Sequence, residues 1–402
     1  MSDSSQAGTA TTKGSPPAVS RRIATMPRSA IREIMALAAD REDVIHLELG
    51  EPDSLTPETI IEEAFAATRA GATRYTPNAG TAKLRELVAA RAGRRQGREI
   101  RPAEVVVTTG AIGALFTAIA LAADAGDEVL VPDPGWPNYV SICHLLGVRA
   151  VRYRLEPEAG FLPDPAALAA LVTPRTRAIV INSPANPNGT VFPAETMAAL
   201  GALATERGLF LISDEVYEDL VFEGRHEPAG AHAPIDRVLT VSGVSKSFAM
   251  TGWRIGWLIV PSELADAAAS LQEPVTSCPA APSQAAAISA LSAPEDVVAE
   301  LRDTYRRRRD ILLDVLGGTD LLAQVPDGAF YALVDIRSSG LGSVAFARRL
   351  LEETGVATVP GETFGPSCDG YVRIAFTTTD AELRRGLMLL RDNLLSRLST
   401  AE

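Results

Sequence analysis

Residues Val241 to Trp257 read Val-Ser-Gly-Val-Ser-Lys-Ser-Phe-Ala-Met-Thr-Gly-Trp-Arg-Ile-Gly-Trp. Of the 38 basic residues in the chain only three are lysines, Lys13, Lys83 and Lys246. Where a plain positive charge suffices, this sequence uses arginine. A lysine kept at 246, between the β-type run Val238 to Val244 and the tryptophans Trp253 and Trp257, points to an amine that has to lose its proton, as Schiff-base chemistry requires. Eight residues on, Arg254 offers a planar fork of donors suited to a phosphate, with small residues between. The bland alternative is a loop lysine on the surface. The large apolar neighbours Phe248, Met250, Trp253, Ile255 and Trp257 argue against it. An amine and a phosphate clamp together point to pyridoxal 5'-phosphate.

The rest of the composition is compatible with that reading. A chain of 402 residues that is 46% apolar can bury one large core and a second, smaller one. The net charge of −12, with no basic block beyond Arg306 to Arg309, speaks against a nucleic-acid or anionic-membrane partner and for a small-molecule substrate. Cys143, Cys278 and Cys368 are too few and too widely spaced for a disulfide framework, which predicts a reducing, cytoplasmic compartment. The histidines do not cluster with cysteines at metal-ligand spacing, so no metal site is expected. No apolar run has the length of a membrane span. Residues 1–20 are small and polar and read as a disordered tail; Asp3 and the lack of arginine before Arg21 make a transit peptide the weaker reading.

Along the chain, the spacing of Ile23, Met26, Ile31, Ile34, Met35 and Leu37 predicts a lead-in segment running into an amphipathic helix. A short strand over Val44 to Leu49 then ends in Gly50-Glu-Pro-Asp53. Helices are expected over 57–70 and 83–95, the second with a solvated charged face that includes Lys83. Six continuous apolar runs, 105–107, 129–131, 178–181, 209–212, 238–241 and 257–260, read as strands buried on both faces. Helical stretches at 112–123, 138–146 and 193–207 lie between most of them, so the fold class is α/β with a largely parallel sheet and helices on both faces. A helix over 297–316 with Arg306 to Asp310 on its outer face, the run 329–334, a helix at 343–354, a strand at 371–376 and a closing helix at 380–398 form a smaller α+β unit. The expected organisation is therefore a tail (1–20), an N-terminal segment packing on the small domain (21–55), a large domain (56–288) and a small C-terminal domain (289–402).

Ligands bind such sheets beyond the carboxyl ends of the strands, and the polar and glycine-rich segments fall at those ends. A pyridoxal phosphate ring needs a buried carboxylate facing its nitrogen, and Asp214 is the candidate. Its phenolic oxygen needs donors, which Asn186 and Tyr217 supply. Asn186 lies in Asn182-Ser-Pro-Ala-Asn-Pro-Asn-Gly189, a string that is also a rigid turn in which a cis peptide bond is expected. Backbone N–H groups of Gly110, Ala111 and Ile112 would meet the phosphate at a helix start, and Trp136 would stack on the ring.

Taken together, these residues resemble the class I and II aminotransferases, the fold type I pyridoxal-phosphate enzymes, over nearly all of residues 22–398. The matching motifs are Gly50-Glu-Pro-Asp53, Tyr75 with Gly80 and Leu84-Arg85, Asn182 to Gly189, Asp214 to Tyr217, Ser245-Lys246 with Arg254, and Tyr371-Val-Arg373. The resemblance implies a seven-stranded central sheet, catalysis by Lys246 with Asp214 and Tyr217, and an α-carboxylate bound by Arg373 with help from Asn186, Trp136 and Gly50. It also implies a homodimer in which Tyr75 reaches the neighbouring subunit's site, and transfer of an amino group from an L-amino acid to a 2-oxo acid.

Two departures bear on detail. Many relatives have serine three residues before the lysine, where this chain has Gly243, which leaves Ser242 or Ser245 for the phosphate, with Ser245 preferred. Some aspartate-specific relatives have lysine where Ile112 stands, which weakens a dicarboxylate assignment. The rival readings are another fold type I reaction, such as β-elimination or oxidation of a specialised amino acid, and a non-enzymatic sensor. The sensor would require an added DNA-binding domain, and only the short tail is available for it. A nucleotide-dependent enzyme would need a glycine-rich loop that Gly110 to Gly113 does not supply.

Overall fold

The computed structural model describes residues 19–26, 30–39, 41 and 43–398; apart from Val19 and Ser20, the expected tail lies outside these. One helical turn (Arg21–Ala24) and the helix Ala30–Ala39 lead to β1 (Ile45–His46). This strand is shorter than expected because its continuation serves other partners. The carbonyl of Leu47 accepts from the Ala375 N–H, that of Glu48 from Arg373, that of Leu49 from Thr377 and that of Gly50 from Lys246. The strand-like stretch thus becomes the strap under which the pocket forms.

Seven strands follow: β2 (Val105–Thr109), β3 (Glu128–Asp133), β4 (Arg149–Arg154), β5 (Thr176–Asn182), β6 (Phe210–Asp214), β7 (Val238–Gly243) and β8 (Ile255–Ile259). They form one sheet in the order β2-β8-β7-β6-β5-β3-β4. The run β7-β6-β5-β3-β4 is parallel, whereas β8 lies antiparallel to both β7 and β2, so the sheet is mixed. The reason is the connection: β7 and β8 are joined by the short loop that carries Lys246, too short for a crossover helix. The strand the six apolar runs do not include is β4, Arg-Ala-Val-Arg-Tyr-Arg. It is an edge strand whose Arg149 and Arg154 are exposed, so it lacks the continuous apolar run of the central strands.

Both sheet faces are covered. Val129 and Val131 of β3 and Ala178 and Val180 of β5 pack with Leu115, Ile119 and Ile142, from helices Gly110–Ala122 and Asn138–Leu146. The alternate residues Leu130, Ile179 and Ile181 pack on the opposite face with Met197, Leu200 and Leu203 of helix Ala194–Arg207. This burial on both sides is what the unbroken apolar runs require.

The C-terminal portion contributes β9 (Tyr331–Asp335), β10 (Val356–Ala357), β11 (Val359–Pro360) and β12 (Tyr371–Ala375). The antiparallel order is β11-β12-β9, while β10 pairs with β1 in parallel. Ile34, Ala38, Ile45 and Leu47 share a core with Phe330, Val334, Phe346, Leu383 and Leu387, so these residues pack against the C-terminal elements, whereas Arg22 and Thr25 bond to Leu145 and His144 of helix Asn138–Leu146. One expectation is corrected here. The run Arg306 to Asp310 is not wholly on an outer face of helix Asp296–Leu316: Arg308 and Arg309 are buried. Arg308 pairs with Asp53 at 2.6 Å and with Asp380, and Arg309 with Glu223, so these charges tie segments together.

Candidate active site

The order of the sheet fixes where the site lies. From β3 the chain steps outward to β4 and then returns to β5 on the other side of β3. Crossovers diverge there and leave a crevice at the carboxyl ends. A cavity of about 360 Å³ occupies this position, a size suited to a cofactor with a small substrate. Its lining includes Gly50, Ala111, Ile112, Trp136, Asn186, Asp214, Tyr217, Ser245, Lys246, Arg254 and Arg373, which were separated by as much as 323 positions in sequence.

Lys246 Nζ donates to the Gly50 carbonyl at 2.5 Å and lies over the rings of Tyr217 and Phe330. Burial pulls the amine down to about 8, with Glu51 opposing the shift and Arg373 and Arg254 adding to it. The residue singled out for its ability to lose a proton is therefore held where it can do so near neutrality. Asp214, the last residue of β6, is buried. Burial pushes its carboxyl up to about 6, while the hydrogen bond donated by Tyr139 Oη to Oδ2 at 2.7 Å holds it down. Tyr217 Oη shares a proton with Tyr331 Oη at 2.9 Å, and burial keeps both phenols in the neutral form.

Arg373, in the middle of β12, is buried with Tyr331 and Phe364 against its guanidinium. Nη2 donates to the Glu48 carbonyl at 2.6 Å and Nη1 to Asn186 Oδ1 at 3.3 Å, while Nε is buried with no partner. A buried donor left free inside a cleft is costly unless a ligand takes it, and a carboxylate suits the arginine fork. Asn186 is oriented in turn by Asn182, and the peptide bonds before Pro184 and Pro187 are both cis, in keeping with the expected rigid turn.

At the other end, helix Gly110–Ala122 points its free N–H groups toward the cavity, and Arg254 stands beside it. Gly110 has φ +71°, and a Cβ there would lie 2.5 Å from Arg254 Nη2. A Cβ on Gly256 would meet the Ala111 nitrogen at 2.4 Å. These two glycines let the helix start, β8 and the guanidinium close into a cradle for an anion. Gly243 has a similar cause, since it pairs with Gly256 and a Cβ would come 3.0 Å from that residue's Cα. Ser242 turns away from the cavity and donates to Glu218 Oε1 at 2.9 Å, whereas Ser245 lines it.

Of the residues expected at the site, Tyr75 and Gly110 do not line this cavity: Gly110 lies behind its wall against Arg254, and Tyr75 has 90% of its surface exposed. Tyr139, Tyr331 and Met35 line it without having been assigned roles from sequence. Tyr139 was detectable in principle, since it ends the turn Asp133 to Tyr139 that carries Trp136. Tyr331 comes from β9, far along the chain, and only the fold brings it to Tyr217.

An anion cradle, a depressed amine, a buried carboxylate and a carboxylate-binding arginine in one cleft fit pyridoxal 5'-phosphate, and the chain is a pyridoxal-phosphate enzyme of the α/β fold type I class. The profile of the family described as aminotransferase class I and II matches residues 42–389. The aspartate/prephenate aminotransferase of Thermus thermophilus is 42% identical over 376 residues, covering 92% of this chain and 97% of that protein. The arginine–pyruvate transaminase of Pseudomonas aeruginosa is 38% identical over 352 residues, covering 87% and 90%. The solved structure of Thermus thermophilus aspartate aminotransferase with maleate has 40% identity and a TM-score of 0.89, covering 94% of this chain and all of that one. The chain belongs to the class I and II aminotransferase family and is a transaminase; elimination, oxidation and a sensor role are not favoured. Among the described residues no helix is long and apolar enough to cross a membrane.

Proposed function

We propose that this enzyme binds an L-amino acid and a 2-oxo acid in turn at the cleft between Arg373 and Lys246. The observation that carries the reading is the pairing of a buried arginine with a free Nε and an amine pulled down to about 8, both lining the same cavity. Arg373 and Asn186 take the α-carboxylate, assisted by the strap at Gly50. Lys246 Nζ, once neutral, takes the proton from the donor's α-carbon and later returns one to the other partner. Asp214, kept ionised by Tyr139, faces the ring nitrogen, and Tyr217 and Asn186 donate to the ring oxygen. Trp136 packs against the ring face. Gly110, Ala111, Ile112, Ser245 and Arg254 hold the phosphate. When bound, the cofactor supplies an aldehyde that carries the amino group and a ring that draws electrons from the α-carbon.

The two curated relatives named above differ in donor, and the pocket supports a choice. Among its described lining residues the cations are Lys246, Arg254 and Arg373, all with roles above, while Met35, Leu49, Ile112, Trp136 and Val216 are apolar. A second carboxylate would be desolvated without a partner, which favours donors with uncharged side chains. Tyr75, with 90% of its surface exposed, supports a homodimer in which it completes the partner's phosphate site. The reducing environment implied by three free cysteines supports a cytoplasmic location. A panel of amino-acid donors and 2-oxo acid acceptors, scored by 2-oxo acid formed, tests the reading. Spectral change with amino acids but no 2-oxo acid released would refute it.

A further inference from the structure

The two segments that carry the reacting groups are gripped from behind by one partly buried cluster of charges. In Asp214-Glu-Val-Tyr-Glu-Asp219, residues 214 and 217 line the cleft while Glu218 and Asp219 meet arginines of helix Ala82–Gln96. Arg95 Nη1 lies 2.7 Å from Glu218 Oε2, Arg95 Nη2 pairs with Asp219, and Arg91 Nη2 reaches Asp219 Oδ2 at 2.6 Å. The loop bearing Lys246 is held on both sides of the lysine by the same group. Ser242 donates to Glu218 Oε1 at 2.9 Å, and the Arg91 guanidinium sits 6.0 Å over the ring of Phe248. Glu215 joins from the side, accepting from Ser213, His226 and the Ala229 N–H.

The chemistry of the cluster shows what it does. Glu215, Glu218 and His226 lie close enough to bind a cation, yet Arg95, Ser213, Ser242 and the Ala229 N–H already take the carboxylate oxygens. The gap between them, about 10 Å³, has room for one water at most. Buried ion pairs add little stability over apolar packing of the same shape, but they are demanding in geometry. This cluster sets the distance between two loops and touches neither ligand nor reacting atom.

We propose that Arg95, with Arg91, Glu218 and Ser242, is a positioning group that holds the Lys246 loop in register with the Asp214–Tyr217 turn and keeps water from the amine. The inference rests on the proposed role of Lys246 in the site. The groups facing that amine are Gly50 and Glu51 on the strap, Asp214 and Tyr217 on their turn, Arg254 beyond the loop, Phe330, and Arg373 on β12. None belongs to the brace, so cutting the brace acts on the amine only through loop placement and solvent.

Three lysines in the whole chain make a direct readout possible. Cofactor-free protein is labelled with trace acetic anhydride across the alkaline range, and peptide mapping compares Lys246 with Lys83, an exposed internal reference. In wild type, Lys246 titrates below the ordinary lysine value. In Arg95→Met and in Ser242→Ala the Lys246 midpoint moves up toward that ordinary value, and Arg95→Lys falls between. In the holoenzyme, Arg95→Met lowers kcat by as much as about a hundred-fold, the scale of an ångström misplacement, with KM changed far less. Ser242→Ala removes one hydroxyl and guards against a fold lost in the arginine variant. A lowered thermal stability with an unmoved Lys246 midpoint in both variants would make the cluster merely structural and overturn the proposal. Turnover within about ten-fold of wild type in Lys246→Ala would refute the proposed function instead, and leaves the labelling comparison readable on its own.

Discussion

Lys246 Nζ and the carbonyl oxygen of Gly50 meet at 2.5 Å, the amine's hydrogen bond inside a buried cleft. Gly50 has to be glycine, since a Cβ there would sit 2.6 Å from Tyr331 Oη. The contact joins the strap after β1 to the loop after β7, and it leaves the amine short of the solvation an ammonium needs.

That shortage has a measurable cost. Burial pulls the folded-state amine down to about 8 from an ordinary 10.5. Between those two values the unfolded chain holds a proton that the folded protein has lost, so stability rises with pH across the window. Below it both states are charged, and the full penalty, about 3 kcal/mol, applies. Cofactor-free Lys246→Met is therefore expected to be more stable than wild type at pH 7, by roughly 2 kcal/mol after loss of the Gly50 hydrogen bond. The gain shrinks above pH 8. Urea unfolding across pH checks this, and the same variant should lose about 10²- to 10⁴-fold in turnover.

Asp214 depends on Tyr139 in the opposite sense. Burial raises the carboxyl, and the 2.7 Å bond from Tyr139 lowers it, so Tyr139→Phe lets it climb above about 6. The ring nitrogen requires the ionised carboxylate, and losing a hydrogen bond to a charged group costs about 1.5–3 kcal/mol. Cofactor affinity should fall roughly ten- to hundred-fold at neutral pH, more in acid, and recover as pH rises. Dissociation constants measured across pH decide it; a pH-independent loss would contradict the argument.

The phosphate cradle makes a third prediction. Alanine at Gly110 combines a φ of +71° with a Cβ 2.5 Å from Arg254 Nη2. A strain of about 1–3 kcal/mol either tilts the helix start or expels the guanidinium. Equilibrium dialysis should show weaker cofactor binding by one to two orders of magnitude, with far-UV circular dichroism unchanged.

The sequence made the central layers legible because strands buried on both faces are unbroken apolar runs, and the chemistry legible because Asp214 ends a strand, Asn186 and Lys246 follow strand ends within a few residues, and Arg373 interrupts an otherwise apolar strand. It concealed β4, whose edge position gives it charged residues, and the order of strands, which depends on packing between distant segments. It also concealed the burial of Arg308 and Arg309. Their partners Asp53, Asp380 and Glu223 are 70 or more positions away, so a charged run looked like a solvated face. Tyr331 escaped notice for the same reason, being 114 positions from the phenol it bonds.

Donor choice is testable at Ile112, which is 36% exposed at the cavity wall and so tolerates a longer side chain. If no cation awaits a side-chain carboxylate, wild type should prefer leucine or phenylalanine to aspartate in kcat/KM. Ile112→Lys should narrow that preference by about ten-fold, the scale of one partly exposed ionic contact. A wild-type preference for aspartate would show that a cation outside the described lining residues serves the pocket.

Tyr75 decides whether each site is built from two chains. If its hydroxyl serves the neighbouring subunit, a dimer of a Lys246→Ala chain with a Tyr75→Ala chain contains one site with both changes and one with neither. Mixing two impaired homodimers, with exchange of subunits, should then restore wild-type affinity for the cofactor at half of the heterodimer's sites, with turnover to match. If Tyr75 acts within its own chain, the heterodimer holds one site lacking the lysine and one lacking the tyrosine, and no wild-type site appears. Separately tagged chains, purified as heterodimers and titrated with cofactor, distinguish the two arrangements; a protein of 42.4 kDa that stays monomeric under these conditions would rule out the shared site altogether.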